Sequence, residues 1–166
     1  MESSARWSRC RRYRTALVRE WDRSGARVAF VGLNPSTADG SDDDPTSRRC
    51  IAFARREGAG SLVLLNLYGF RATRPAELWS ASSPVGPGTD RVMARELRCC
   101  TRIIACWGAV PARARARVEA VVARLRRTGL PVSALGFTRD GHPRHPLYLR
   151  KDTPLIAWPA QAFVVP

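Results

Sequence analysis

The segment ARVAFVGLNPSTAD, residues 26–39, decides the predicted fold. Residues 26–33 form a continuous apolar run, without the alternation of polar and apolar side chains that a half-exposed strand shows. Such a run between turn signals is typical of a strand that is buried on both faces. Residues 34–46, NPSTADGSDDDPT, are rich in Asn, Pro, Ser, Asp and Gly, which favours a loop. The segment therefore predicts a central strand that runs into a polar loop.

Strands and helices are predicted to alternate along the rest of the chain. Tyr13, Leu17 and Trp21 recur at helical spacing and predict a helix ahead of the first strand. The alternation predicts an α/β fold with three layers, α/β/α, around a central, mainly parallel four-stranded sheet, and we expect one domain over residues 1–166. The further predicted strands are 61–70, 102–108 and 130–137, and the helices are 47–58, 74–81, 89–100 and 111–129.

The composition points to a polyanionic partner. The chain has 28 Lys and Arg against 14 Asp and Glu, a net charge of +14. We therefore expect a nucleic acid, DNA first, or a nucleotide as the partner, although the arginines are also explained as solvated helix faces. The 5 cysteines lack paired spacing, which predicts reduced thiols in a cytoplasmic protein with no metal site and no cofactor. No apolar run is long enough to span a membrane, and we expect a monomer.

Both histidines of the chain lie in one loop, GHPRHPLYL, residues 141–149. Pro143 and Pro146 restrict the backbone around His145 and so fix the direction of its imidazole. The loop follows the fourth predicted strand, and ligands of parallel sheets bind outside the carboxyl ends of the strands. This position favours a reactive loop over a plain surface turn.

Four blocks at the ends of the predicted strands carry a resemblance to a known superfamily. VAFVGLNPS, SLVLLNLYGF, RIIACWG and HPLYL, in this order, are similar to motifs of the uracil-DNA glycosylase superfamily, in its mismatch-specific and single-strand-selective branches. More closely, and over nearly its whole length, the chain resembles a family of bacterial domains of unknown function, number 1643, in GLNPSTAD, DDPT, NLYGFRAT, WG and PRHPLYL. The first resemblance implies a glycosylase-like fold and base excision.

The glycosylase resemblance assigns roles to the strand-end residues. Asn34 would position the attacking water, and His145 would act as a neutral donor to the departing base. Asparagine cannot take a proton, so a carboxylate of the acidic loop is a further catalytic candidate. We expect Asp44 to cap the following helix and keep Asp43 as that candidate. Asn66 would read the edge of the base, and its alternative role is that of a turn-forming residue.

Aromatic and basic residues complete the expected site. Phe53, Tyr68 and Phe70 are candidates for stacking on a flipped base, although aromatic residues near strands more often belong to the core. Leu147 would wedge into a duplex, unless it and Tyr148 merely anchor the loop in the core. The candidates for nucleic-acid contacts are Ser36, Arg71, Arg74, His142, Arg144 and Leu147.

The resemblance therefore predicts a DNA-base N-glycosylase that binds a flipped base and works without a metal. Two alternatives stay open at this point. One is a non-catalytic module that binds a nucleotide or a modified base, which Asn34 in place of a carboxylate favours. The other is an N-glycosidase that acts on small nucleosides or nucleotides, whose affinity should depend little on salt.

Overall fold

The structure, a computed structural model, describes residues 1–158. Residues 159–166 of the predicted domain lie outside the described residues. The strands are β1 Glu2–Trp7, β2 Arg14–Glu20, β3 Arg27–Gly32, β4 Ser61–Asn66, β5 Arg102–Ala105, β6 Val132–Ala134 and β7 Ile156–Ala157. The α-helices are α1 Pro45–Arg56, α2 Pro75–Ser80, α3 Thr89–Leu97 and α4 Arg115–Arg127. Single 3₁₀ turns are formed by Ala112–Ala114 and Pro146–Tyr148.

The strands of the described chain form one mixed, seven-stranded sheet in the order β1-β2-β4-β3-β5-β6-β7. Its four central strands, β4, β3, β5 and β6, are the four predicted ones, and neighbours among them pair in parallel. Val31 of β3 lies opposite Leu65 on one side and Ala105 on the other. The predicted strand number is wrong, because β1, β2 and β7 extend this parallel centre with antiparallel pairing.

The helix predicted from Tyr13, Leu17 and Trp21 is wrong. Residues 14–20 form β2, which pairs with β1 in a hairpin and with β4, where Leu17 lies opposite Leu64. The spacing of the apolar residues fits a helix, but residues 16–20 pair with β1 and residues 17–20 also pair with β4, so strand pairing satisfies this part of the backbone. β2 also buries Arg19 completely, so its sequence does not show the apolar pattern of a buried strand.

Helices cover both faces of the sheet, as the three-layer prediction requires. Ala29 and Val31 of β3 face a core cluster with side chains from α2, α3 and α4. Val28 and Phe30, which point the other way, face a second cluster that α1 covers. Because both faces of the central strands are buried, their sequences are apolar throughout rather than alternating.

Ion pairs join the two helices that lie side by side on the first face. Arg117 of α4 donates from Nη1 and Nη2 to the carboxylate of Asp90 in α3, at 3.1 and 2.7 Å, and Arg124 adds a third bond at 3.2 Å. The hydrogen bond from Arg117 lowers the pKa of Asp90. Part of the arginine excess thus connects helices. Within residues 1–158, each helix is too short or too polar to cross a membrane.

Candidate functional site

A cleft of about 250 Å³ opens at the carboxyl ends of β3, β4 and β5. The lining side chains with chemistry of interest are Arg14, Asn34, Asp44, Asn66, Trp107 and His145. A larger cavity of about 400 Å³ lies between α3 and the end of α4, away from the carboxyl ends of the strands. The polar lining of this larger cavity consists mainly of arginine, whereas the cleft at the strand ends combines amides, a carboxylate, an imidazole and a guanidinium. We therefore take the cleft as the candidate site.

Asn34 follows β3 at the point where the chain leaves the sheet. Its Nδ2 donates to the carbonyl oxygens of Pro35, at 2.9 Å, and Ala72, at 2.8 Å. These bonds tie the loop after β3 to the loop after β4. Because both N–H groups of the amide have acceptors, Oδ1 is the atom that Asn34 can offer to a ligand or a water molecule.

Asn66 is the last residue of β4 and lies opposite Gly32 of β3. Its side chain makes no hydrogen bond to any other described residue, so it can offer two donors and one acceptor to a ligand. A Cβ atom on Gly32 would stand 2.9 Å from Oδ1 of Asn66. The glycine therefore leaves the space that this amide occupies.

His145 stands between the two prolines of its loop in extended conformation, with φ −74° and ψ 133°. Its Nδ1 accepts a hydrogen bond from the backbone N–H of Leu147 at 3.3 Å. In the neutral imidazole the proton is therefore on Nε2, which makes that atom a donor. Burial lowers the pKa of His145 from its ordinary 6.5, and the smaller opposing effect comes from the carboxylate of Asp44. The imidazole is neutral at pH 7.

The histidine loop is fastened to the sheet and to α1. The carbonyl oxygen of Pro143 accepts from the N–H of Gly108, just after β5, at 2.8 Å. On the other side, the guanidinium of Arg49 in α1 donates to the carbonyl oxygen of Leu149. Gly108 has φ +76°, a left-handed conformation that favours glycine, and a Cβ there would lie 3.4 Å from Cβ of His145. These contacts fix the position of the imidazole.

The two neighbouring aspartates have different surroundings. Asp43 accepts from Nε of Arg19 at 2.9 Å and is not among the residues that line the cleft. Asp44 caps α1, as predicted, by accepting from the N–H of Ser47 at 2.7 Å. Asp44 also lines the cleft, so the structure places Asp44 rather than the predicted Asp43 at the site.

The aromatic residues predicted to stack on a base lie elsewhere. Phe53 and Tyr68 are buried in the core, and Phe70 packs beside it, so none of the three lines the cleft. Trp107 and Tyr148 line it instead. Trp107 belongs to the WG block just after β5, so the sequence carries a signal for this aromatic residue.

Leu147 and Tyr148 project from the 3₁₀ turn beside the mouth of the cleft. They are 37% and 80% exposed, which rules out a core-anchor role for Tyr148. Ser36 lines the cleft, and its carbonyl oxygen accepts from Nε of Arg71 at 3.1 Å. The other five predicted contact residues do not line it, namely Arg71, Arg74, His142, Arg144 and Leu147. Arg74 is paired with Glu77, Arg144 is exposed, and His142 is half-buried.

Arg14 is the lining residue that sequence reasoning missed most completely. As the first residue of β2 it is only 3% exposed. One nitrogen, Nη1, donates to the carbonyl oxygen of Ala38, whereas Nε is buried without a partner. Burial lowers the pKa of Arg14 to about 10, so it stays charged at pH 7. Nε1 of Trp107 is likewise buried without an acceptor in the described part of the chain.

Side chains that can bind metals are dispersed over the described part of the chain. Within the described residues, no three His, Cys, Asp or Glu side chains form a group that could hold a metal ion. All five cysteines are free thiols. Cys50, Cys100 and Cys106 are buried, while Cys10 and Cys99 are exposed.

Comparison with known proteins gives one match. None of the curated proteins and none of the solved structures matches the chain. The resemblance to the uracil-DNA glycosylase superfamily therefore depends on the four sequence blocks alone. A family model described as "Protein of unknown function (DUF1643)" matches residues 12–147, a range that includes Arg14, both asparagines and His145. Because this match covers well over half of the 166 residues, the chain belongs to the DUF1643 family.

Proposed function

We propose that the cleft binds a nucleobase and that the protein hydrolyses the N-glycosidic bond of that base, with DNA as the first substrate class. One observation carries the proposal: Asn34, Asn66 and His145, far apart in the chain, line the same cleft. Its volume of about 250 Å³ is slightly below the roughly 300 Å³ at which pockets for drug-sized ligands begin. A cleft of this size suits one flat heterocycle.

Asn66 selects the base in this proposal. A base edge presents carbonyl acceptors beside N–H donors, and a single amide can pair with one such arrangement and leave another unpaired. An unpaired polar group in a closed site costs about 1–3 kcal/mol. The free side chain of Asn66, nearly buried at the end of β4, supports this role.

His145 and Asn34 act on the bond. Water attacks the sugar carbon, the carbon–nitrogen bond breaks, and the base departs with the bonding electron pair and a negative charge. Nε2–H of the neutral His145 donates a hydrogen bond to the base atom on which this charge develops, and a donor of this kind contributes roughly 10²–10³ in rate. Oδ1 of Asn34 accepts a hydrogen bond from the water and orients it, and the released proton passes to solvent. As the carbon–nitrogen bond breaks, positive charge develops on the sugar. The carboxylate of Asp44 stabilises this charge.

The surroundings of the mouth support a polymeric substrate. Leu147 and Tyr148 project from a rigid turn, and apolar side chains in that position can enter a base stack and hold a base outside it. Arg71 and Arg144 are exposed, and their charge favours phosphate contacts. The net charge of +14 would draw DNA to the protein.

The test is incubation with single- and double-stranded oligonucleotides that carry uracil, hypoxanthine or modified pyrimidines, followed by alkaline cleavage at abasic sites. We expect cleavage with the native chain and at least a hundredfold slower cleavage with His145→Gln. Arg139→Gln, a change at an exposed residue just before the histidine loop, is the matched control. If the folded protein releases no base from any oligonucleotide, the proposed hydrolysis of N-glycosidic bonds in DNA is refuted.

A second candidate function is base binding without catalysis. The observation in its favour is that Asn34 cannot accept a proton, while the cleft carboxylate, Asp44, is already engaged in capping α1. This candidate predicts that nucleosides bind without being cleaved and that His145→Gln leaves their affinity within about twofold. An N-glycosidase on free nucleosides would instead cleave them at a rate that depends little on salt.

A further inference from the structure

We propose that Arg14 makes part of the cleft an oxyanion subsite, so that the ligand is a nucleobase compound that bears a carboxylate or a phosphate. The inference rests on the proposed base-binding function and narrows its substrate class. It concerns a residue of β2, which lies outside the four sequence blocks that suggested the function.

The guanidinium of Arg14 has unused donors at the cleft. Arginine has five N–H groups, and within the described residues only Nη1 of Arg14 forms a side-chain hydrogen bond, to Ala38. Among residues 1–158, Nε has no hydrogen-bond partner, and the one hydrogen bond of the guanidinium comes from Nη1 and not from Nη2. Nε1–H of Trp107, at the same cleft, is a second donor without an acceptor. Adjacent N–H groups of a guanidinium match the two oxygens of a carboxylate or a phosphate.

The charge of Arg14 also lacks a contact partner. Among the described residues no carboxylate lies within 4.0 Å of its guanidinium, and Asp44 and Asp39 act on it only from further away. The other buried arginine of β2, Arg19, is matched by Asp43 at 2.9 Å. A buried cation without a counter-ion is costly, and an anionic ligand would remove that cost. A neutral base would leave the charge unmatched, which is why we infer an oxyanion.

The competing explanation is that Arg14 only holds the loop after β3, through its bond to Ala38. The two explanations differ in what the arginine discriminates. An arginine that only holds the loop affects neutral and anionic ligands equally, because it sets the shape of the cleft. A subsite affects the anionic ligand alone.

The test measures binding to two matched pairs of compounds by calorimetry. Uracil against 5-carboxyuracil adds a carboxylate to the base, and deoxyuridine against deoxyuridine 5′-monophosphate adds a phosphate to the nucleoside. We expect the native chain to prefer the anionic member of one pair at least tenfold, equivalent to about 1.4 kcal/mol. The pair that shows the preference identifies the source of the oxyanion.

Variants assign the preference to Arg14. Arg14→Gln should reduce the ratio of the two affinities to near one, and Arg14→Lys should give an intermediate ratio, because it keeps the charge and loses the planar donors. Arg12→Gln, an exposed neighbour with the same charge change, should keep the native ratio. The neutral member of each pair reports, in the same variant, whether the cleft itself is intact.

The outcomes separate this inference from the proposed function. Equal affinity for both members in the native chain, or binding of neither, overturns the inference whatever the variants do. A preference that Arg14→Gln keeps in full also overturns it. If the protein releases the base from uncharged substrates and binds the neutral and anionic members of each pair equally well, only the oxyanion subsite is refuted. Preference for an anion without base release refutes only the hydrolysis.

Discussion

Replacement of Asp43 tests whether its carboxylate serves to neutralise a buried arginine. Arg19 is 0% exposed, and its Nε donates to Asp43 at 2.9 Å, while Nη2 donates to the carbonyl oxygen of Asp39 at 2.7 Å. Asp43→Asn removes the carboxylate that neutralises this guanidinium and keeps the size of the side chain. We therefore expect the variant to be less stable because a buried charge loses its partner.

The structure also indicates the size of the loss. Removing one partner of a buried ion pair costs about 3–5 kcal/mol. Asp43 is still 16% exposed, so some solvent reaches the pair and we expect the lower end, about 3 kcal/mol. With a urea dependence of roughly 2 kcal/mol/M, the midpoint of unfolding should fall by about 1.5 M.

The assay is urea unfolding followed by circular dichroism, with Asp42→Asn as the control. Asp42 is the exposed neighbour, and Arg19 contacts its backbone carbonyl oxygen, which the substitution leaves in place. The control midpoint should stay within about 0.25 M of the native value. Equal midpoints for the two variants would refute the reasoning, since they would mean that the guanidinium of Arg19 does not need the carboxylate of Asp43 as a partner.

Three further predictions concern the turns and the histidine loop. Gly86→Ala would place Cβ 2.1 Å from a ring carbon of Tyr13, and we expect it to lower the free energy of unfolding by about 3 kcal/mol in thermal unfolding. Gly58→Ala has a similar φ but open space around the new Cβ, and we expect it to lower that free energy by about 1 kcal/mol. Because burial lowers the pKa of His145, the imidazole binds a proton more readily in the unfolded chain than in the folded one. The free energy of unfolding should therefore fall as the pH falls from about 7 to about 5, and His145→Gln should weaken this dependence. Arg49→Met should speed amide hydrogen exchange in residues 147–149 about tenfold or more and leave α1 unchanged, since the arginine holds carbonyl groups of that turn.

The central strands could be predicted because their local sequence and their environment agree. Val28 and Phe30 face one core cluster of the sheet, and Ala29 and Val31 face the other. A strand that is covered on both sides must be apolar throughout, and few other structures give a short, uninterrupted apolar run between turns. The positions of the strand ends followed, and with them the cleft that Asn34 shares with the histidine loop.

The hairpin strand β2 could not be predicted because its stability depends on distant parts of the chain. Arginine is rarely buried, so the sequence gives no sign that Arg14 and Arg19 face the interior, and the spacing of Tyr13, Leu17 and Trp21 fits a helix. The buried Arg19 is matched by Asp43 and by two carbonyl oxygens of the acidic loop. No pattern within residues 13–21 indicates these partners. The prediction therefore missed the strand that brings Arg14 to the cleft.

The roles of Asp43 and Asp44 at the site also depend on residues that are distant in the sequence. Asp43 and Asp44 are chemically identical neighbours, and helix capping accounts for one of them without indicating which other group each one meets. In the structure Asp43 neutralises Arg19, while Asp44 caps α1 and faces the cleft. A carboxylate that accepts from the N–H of Ser47 keeps a fixed direction, which suits electrostatic stabilisation of a positive sugar better than proton transfer. The division of labour in the proposed reaction follows: Asp44 supplies charge, Asn34 orients water, and neither has to act as a base.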